Sequence, residues 1–161
     1  MLEISIWEMS MRTRAGIVLI EEDKVALIER HRAGMHYCVF PGGGVDEGET
    51  PEQGAVREAM EELGVEVAIQ QKVAIIHFGE STQIYFLAKR VGGEFGTGTG
   101  EEYTDSDPED PTEGIYIPVW MPIEELPHQE KVFPEHLAKL VVRSGTEGWS
   151  SEAVVIHEPG K

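Results

Sequence analysis

The chain has 161 residues, the size of one ordinary domain. Its 13 basic and 30 acidic residues give a net charge of −17, which excludes a general nucleic-acid binder or a protein drawn to anionic membranes, since both need a basic surface. With 40% hydrophobic residues it can build a core, and its one cysteine, Cys38, excludes an intrachain disulfide and a cysteine-based zinc site.

The first half of the chain contains short apolar runs separated by polar turns, a pattern typical of β-strands. Residues 13–20 and 24–29 flank the acidic turn 21–23 and predict a β-hairpin. Residues 37–40 predict a further strand, which Pro41 and three glycines end. Residues 51–63 form the best-defined helix.

The second half continues with predicted strands over residues 73–78, 83–89 and 115–121 and a predicted helix over 134–143. Pro118 lies inside the last of these strands and favours an edge position, because proline cannot donate to a sheet. The glycine-rich and acidic stretch 92–114 is long for a loop and predicts a lid or a mobile hairpin.

The N-terminal residues lack the basic and long apolar segments of a signal peptide, and no stretch approaches the roughly 18–20 apolar residues of a membrane span. These features predict a cytoplasmic protein without membrane attachment. Residues 1–10 and 145–161 are additional segments that could pair strands across a homodimer.

The helix over residues 51–63 has signals at both ends. Thr50 is a suitable N-cap, Pro51 suits the first helical position, Gln53 completes a capping box, and Gly64 predicts the C-terminal stop. Helical spacing predicts a core face made of Ala55, Val56, Ala59, Met60 and Leu63. The same spacing predicts a charged opposite face made of Arg57, Glu58, Glu61 and Glu62.

Glu58, Glu61 and Glu62 stand at i, i+3 and i+4, so their carboxylates converge. Like charges at i and i+4 repel, and acidic groups near a helix C-terminus oppose the helix dipole. These locally unfavourable charge placements indicate either a solvated acidic face or a functional site. The function would be binding of a hard divalent cation, which prefers oxygen ligands.

The glycine loop and this helix together carry one extended motif. It reads Gly43-x5-Glu49-x7-Arg57-Glu58-Ala59-x-Glu61-Glu62-x-Gly64-Val65. This pattern resembles the Nudix box, with every fixed position filled and a small Ala59 where a bulkier aliphatic residue is usual. The resemblance implies a Nudix-type α/β/α sandwich with a mixed β-sheet between helices. It places a Nudix hydrolase domain at 12–143, with extensions at 1–11 and 144–161.

The resemblance also implies a reaction: hydrolysis of a pyrophosphate bond in a nucleoside diphosphate linked to another group, dependent on Mg²⁺ or Mn²⁺. By position, Glu58, Glu61 and Glu62 look like metal ligands that the Gly43 carbonyl joins. Glu49 and Arg57 are similar to the family's supporting pair, which holds the loop against the helix. The general base is open among Glu58 and, in the 92–114 loop, Glu102 and Glu113.

Four residues are candidates for substrate binding. Arg30 is the preferred phosphate contact, because arginine grips phosphate with two donors and basic residues are scarce here. Gly42 and Gly43 allow the backbone to approach a ligand closely. Phe40 is either a wall of a base-stacking pocket or part of the core.

The expected partner is a small nucleotide. Nucleoside triphosphates are favoured because the domain is compact, ADP-ribose and nucleotide sugars remain open, and capped RNA is disfavoured by the missing basic patch. The alternatives are a non-catalytic Nudix-fold sensor of nucleotide metabolites and an isoprenoid diphosphate isomerase. The isomerase would use a cysteine, but Cys38 on a strand is expected to be a buried packing residue.

Overall fold

The computed structural model describes residues 13–32, 34–98, 115–129 and 131–158. In this part of the chain a mixed sheet of nine strands lies between helices. The strands are β1 (Thr13–Glu21), β2 (Lys24–Arg32), β3 (Met35–Val39), β4 (Gly42–Gly44), β5 (Val65–Phe78), β6 (Ser81–Gly93), β7 (Ile115–Pro122), β8 (Val132–Phe133) and β9 (Val154–Glu158). The helices are α1 (Pro51–Leu63), α2 (Glu135–Glu147) and a 3₁₀ helix (Ile123–His128).

The sheet runs in the order β8-β3-β2-β1-β6-β5-β9, with β4 paired to β1 and β7 paired to β2. β1 and β6 are parallel, whereas β1 and β2 are antiparallel and pair only over the two residues at each side of their turn. Away from the turn, the N-terminal residues of β1 pair with β4 instead of β2, and Gly16 lies opposite Gly42. The two halves of the sheet therefore separate beyond the turn and leave room for a cleft between them.

Each face of the sheet has its own apolar core. Ile17 and Leu19 of β1 point towards α1, whereas Val18 between them belongs to the core that α2 covers. This alternation follows from the two-residue period of a strand. The helices lie on opposite faces, which confirms the predicted α/β/α sandwich.

The predicted hairpin is confirmed, and its turn residues Glu22 and Asp23 adopt positive φ angles of 51° and 62°. Pro118 lies in β7, which pairs only with β2 among the strands described, so the predicted edge position is also confirmed. β5 begins at Val65, well before the predicted 73, because irregularities in its pairing with β6 interrupt the alternation that a strand pattern needs.

The predicted core face of α1 is partly wrong. Met60 is 42% exposed, whereas Glu58 and Glu62 are only 7% and 8% exposed. The helix packs against β1 and the glycine strand β4, so its buried face is rotated towards those two glutamates. Apolar spacing alone misses this rotation because it assigns every carboxylate to solvent.

The last strand, β9, joins the sheet at the edge next to β5. β9 pairs in parallel with β5 of the same chain, so part of the C-terminal extension completes the sheet. Over the residues that the structure describes, no helix is long and apolar enough to cross a membrane.

Candidate active site

A cleft of about 710 Å³ opens where the two halves of the sheet separate. Arg14 and Tyr85 line it from one half, and Arg30 and Tyr116 line it from the other. Gly42, Gly43 and Glu62 form the side nearest α1. All four predicted substrate-binding residues line the cleft: Arg30, Phe40, Gly42 and Gly43. Clefts of this volume are typical of small-molecule sites.

The glycine strand β4 and helix α1 are held in close register. The Thr50 side chain accepts a hydrogen bond from the Gln53 amide and the Gln53 side chain accepts one from the Thr50 amide, so the predicted capping box is present. Gly64 ends the helix with φ 79°, as predicted. A Cβ atom at Gly43 would lie 2.4 Å from Glu58 Oε1, so only glycine lets this strand approach the helix so closely.

The Arg57 side chain connects the loop and the helix at the centre of the site. Its Nε and Nη2 atoms donate to the two oxygens of Glu49, at 2.9 Å and 3.0 Å. Nη1 donates to Glu58 at 2.9 Å and to Glu61 at 3.1 Å, and Nη2 also donates to the Gly44 carbonyl at 2.8 Å. One guanidinium thus ties the loop to the helix and orients two of the carboxylates.

The carboxylates of this site differ in their electrostatics. The Arg57 hydrogen bond lowers the pKa of Glu49, whereas burial raises the pKa of Glu58 despite its contacts with Glu62 and Arg57. The carboxylates around Arg57 raise its pKa in turn, so it stays charged. Glu62 accepts a hydrogen bond from the Gly42 amide at 3.3 Å.

These residues fit a hard divalent cation. Glu58 and Glu62 are buried next to each other. Within the described residues, the nearby positive charge of Arg57 is shared among Glu58, Glu49 and Glu61 through hydrogen bonds. The cluster therefore has more carboxylates than positive charges, and all its donor atoms are oxygens. A hard divalent ion would supply the missing charge through the ligands it prefers.

Arg30 has an unusual environment in the cleft wall. Its guanidinium carbon lies 4.0 Å from the centre of the Tyr116 ring and 5.6 Å from that of Tyr37, its cross-strand neighbour. Its Nε and Nη2 atoms are buried and have no hydrogen-bond partner among the described residues. Buried donors of this kind require an acceptor, and a phosphate or a base edge would provide one.

Three further residues that the sequence singled out are Glu102, Glu113 and Cys38. Glu102 and Glu113 lie outside the described residues. Cys38 is buried in the core on the α2 face, where burial raises the pKa of its thiol to about 11, as expected for a packing residue. Its thiolate is therefore scarce at neutral pH, which disfavours the isomerase chemistry.

Sequence reasoning missed the far end of the cleft. His136 at the start of α2 contacts the Glu158 carboxylate of β9, and both line the cleft with Phe133. These residues come from three successive elements, β8, α2 and β9, and His136 and Glu158 are 22 residues apart. No local spacing connects them, so only the fold brings them together.

Comparison with known proteins adds independent findings. A family model described as "NUDIX domain" matches residues 10–141. A curated protein of Tolumonas auensis named RNA pyrophosphohydrolase is 41% identical over 80 residues, which cover 50% of this chain and 44% of that protein. The match thus spans less than half the length of this relative.

Solved structures share the fold. A NUDIX hydrolase from Nitrosomonas europaea aligns with a TM-score of 0.69 and 22% identity over 91% of this chain and 78% of that one. An ADP-ribose pyrophosphatase from Streptococcus suis aligns with a TM-score of 0.60 and 18% identity over 91% and 98% of the two chains. At these identities the likeness concerns the fold alone.

Proposed function

The chain belongs to the NUDIX domain family, and from this premise we propose that it hydrolyses a pyrophosphate bond in a small nucleotide with the help of Mg²⁺ or Mn²⁺. The observation that carries the proposal is the carboxylate cluster of α1 at the side of the cleft. There Glu62 and the glycine strand β4 face the space in which a substrate would lie. The curated relatives named for pyrophosphohydrolysis support the same class of reaction.

The ligands of the divalent cation are Glu58, Glu61 and Glu62, together with the carbonyl of Gly43. When bound, such an ion neutralises phosphate charge and lowers the pKa of water. Arg57 holds Glu58 and Glu61 in place and keeps the loop on the helix through Glu49. This bracing preserves the geometry of the carboxylates before the substrate arrives, so little reorganisation is needed during the reaction.

Hydrolysis adds the oxygen of water to one phosphorus atom, breaks the bond from that atom to the bridging oxygen, and releases a proton to a base. Glu58 is a candidate base within the described residues, since its carboxyl group is buried within the carboxylate cluster, next to Glu62 and Arg57. Glu102 and Glu113, outside the described residues, are the other two candidates. Replacing each of the three candidates in turn with glutamine tests which one is the base, because only loss of the base should remove its ionisation from the pH dependence of kcat.

Arg30 and the aromatic residues beside it bind the nucleotide. The two unpartnered nitrogens of Arg30 point to an acceptor such as a phosphate oxygen. Tyr116 lines the same cleft and offers aromatic surface to a base, whereas Phe40, at the cleft wall, is only 3% exposed and belongs to the core on the α2 face. The cleft therefore supplies both polar and stacking contacts of the kind that a nucleotide uses.

A nucleoside triphosphate is the favoured substrate, with ADP-ribose and nucleotide sugars as the next candidates. An RNA that carries a pyrophosphate bond is a further candidate, because the curated relatives are named RNA pyrophosphohydrolase. The net charge of −17 argues against it, since a long polyanion would be repelled by this surface. A small nucleotide brings fewer phosphates to the same cleft.

The test is a substrate panel with product identification. Nucleoside triphosphates, ADP-ribose, nucleotide sugars and a 5′-triphosphorylated RNA are incubated with Mg²⁺ or Mn²⁺, and the products are resolved by chromatography. We expect hydrolysis of a small nucleotide that is abolished by chelator and reduced at least about a hundredfold in Glu62→Gln, a loss of about 2.7 kcal/mol in transition-state stabilisation. Glu52→Gln is the matched control, because Glu52 is an exposed residue of the same helix.

Three outcomes would contradict the proposal in different ways. Equal activity of Glu62→Gln and Glu52→Gln would remove the carboxylate cluster from the reaction. Hydrolysis of RNA alone would overturn the small-nucleotide substrate. Stabilisation by a nucleotide without turnover would instead indicate a sensor that binds metabolites.

A further inference from the structure

A second cluster of metal-ligating side chains lies on the β2–β3 hairpin. Glu29 and His31 are two residues apart on β2, and His36 is paired directly opposite His31 on β3. Residues two apart on a strand share a face, and so do directly opposed residues, so the three side chains project together. Arg30, between them, points to the other face and lines the cleft.

The ligand atoms of this cluster lie close together. Glu29 Oε1 is 2.8 Å from His31 Nε2 and 3.6 Å from His36 Nε2, and one ligand atom of each residue lies within 4.8 Å of the others. Zn²⁺ holds such atoms at about 2.0–2.2 Å, so tetrahedral ligands lie roughly 3.4 Å apart. Rotations about side-chain bonds are enough to reach that spacing.

The surroundings of the cluster allow an ion to enter. The side chains of His31 and His36 are 44% and 55% exposed, and Glu29 is 28% exposed. The two imidazole rings stack with centroids 4.4 Å apart and planes inclined by 12°. Rings stacked this closely bring a nitrogen atom of each within reach of one ion.

The donor set differs from that of the α1 cluster. Two imidazole nitrogens and one carboxylate oxygen suit Zn²⁺, Ni²⁺ or Cu²⁺, whereas Mg²⁺ prefers oxygen ligands alone. We propose that Glu29, His31 and His36 form a binding site for a borderline divalent transition-metal ion such as Zn²⁺, separate from the active site. The bound ion bridges β2 and β3, the strands whose opposite face carries Arg30 and Tyr37.

The test is calorimetric titration of the full chain with Zn²⁺ in buffer that contains excess Mg²⁺ to occupy oxygen-only sites. We expect one Zn²⁺ per chain. His36→Ala should weaken binding by more than about tenfold, since the loss even of a residue that only orients a ligand costs roughly 10–100-fold in affinity. The matched control is His157→Ala, because His157 also stacks on another histidine, His77, at 4.9 Å.

A second measurement does not depend on the titration. Zn²⁺ should raise the thermal unfolding midpoint of the native protein and of His157→Ala, but not that of His36→Ala, because an ion that binds only the folded state stabilises it. Circular dichroism checks the fold of His36→Ala, which we expect to be native because the position is exposed.

The proposal is overturned if the native chain takes up no Zn²⁺ above the Mg²⁺ background. It is also overturned if His36→Ala and His157→Ala lose affinity equally. A third contradicting result is loss of Zn²⁺ in Glu62→Gln but not in His36→Ala, which would assign the ion to α1. None of these results depends on whether the protein hydrolyses a nucleotide.

Discussion

Two carboxylate-containing clusters lie on opposite faces of the sheet: the α1 cluster (Glu58, Glu61 and Glu62) and the hairpin cluster (Glu29, His31 and His36). They differ in how deeply their carboxylates are buried. In α1, Glu58 and Glu62 are buried, and Arg57 braces the group through hydrogen bonds to Glu58 and its neighbours. On the hairpin, Glu29 lies beside two exposed histidines. The first cluster is preorganised inside the protein, whereas the second must assemble around its ion.

This difference predicts different sensitivities. A buried carboxylate group depends on every neighbour that orients it, because water cannot replace a lost contact. An exposed group can rotate and recruit water as an additional ligand. Substitutions around α1 should therefore have large effects on stability and activity, and should leave the hairpin site unchanged.

The largest effect is expected from Arg57→Ala. It removes the partner of Glu49, Glu58 and Glu61 and should lower the free energy of unfolding by about 3 kcal/mol, the scale of a broken ion pair that is mostly buried. Urea unfolding measures the loss. Arg143→Ala is the control, since its ion pair with Glu147 is exposed at both ends and should contribute less than about 1 kcal/mol. Equal losses in the two variants would show that Arg57 is not a structural hub.

A smaller effect is expected from Gly43→Ala. The added Cβ would lie 2.4 Å from Glu58 Oε1 and should displace that carboxylate, lowering kcat/KM at least about tenfold, or 1.4 kcal/mol. Gly44→Ala is a close control, because a Cβ there meets no atom within 4 Å of the described structure. Steady-state kinetics of both variants on the preferred substrate give the comparison. A full rate in Gly43→Ala would separate the glycine strand from catalysis.

The smallest effect is expected from Arg30→Lys, which tests the two faces of β2. Lysine keeps the charge but loses the planar donors, so KM should rise several-fold, up to about tenfold, with kcat little changed. Zn²⁺ affinity should stay the same, because Glu29 and His31 point to the other face. Arg90→Lys, at an exposed position on β6, controls for general charge effects. A change in Zn²⁺ affinity alone would place Arg30 in the hairpin site instead.

The sequence predicted one of these clusters and missed the other. Glu58, Glu61 and Glu62 converge because helical spacing is regular within a single element, so their meeting can be read directly from the chain. Glu29, His31 and His36 meet only if β2 and β3 pair in one particular register. A slip of one residue would move His36 to the other face, and local sequence does not specify the register of so short a hairpin.

The sequence by itself determined the elements whose signals are local. The capped helix α1 and the hairpin turn at Glu22 and Asp23 follow from caps, turn residues and periodicity, whereas the α/β class was implied by the resemblance of the glycine loop and helix to the Nudix box. The burial of Cys38 was also expected from its position on an apolar strand.

Only the tertiary structure decided which carboxylates are buried and where the cleft opens. Packing against β4 rotates α1 so that Met60 faces solvent while Glu58 and Glu62 are enclosed. The separation of the two halves of the sheet then brings Arg30 to the same cleft as Glu62. These relations depend on contacts between distant segments, and hydrophobic spacing within one element carries no information about them.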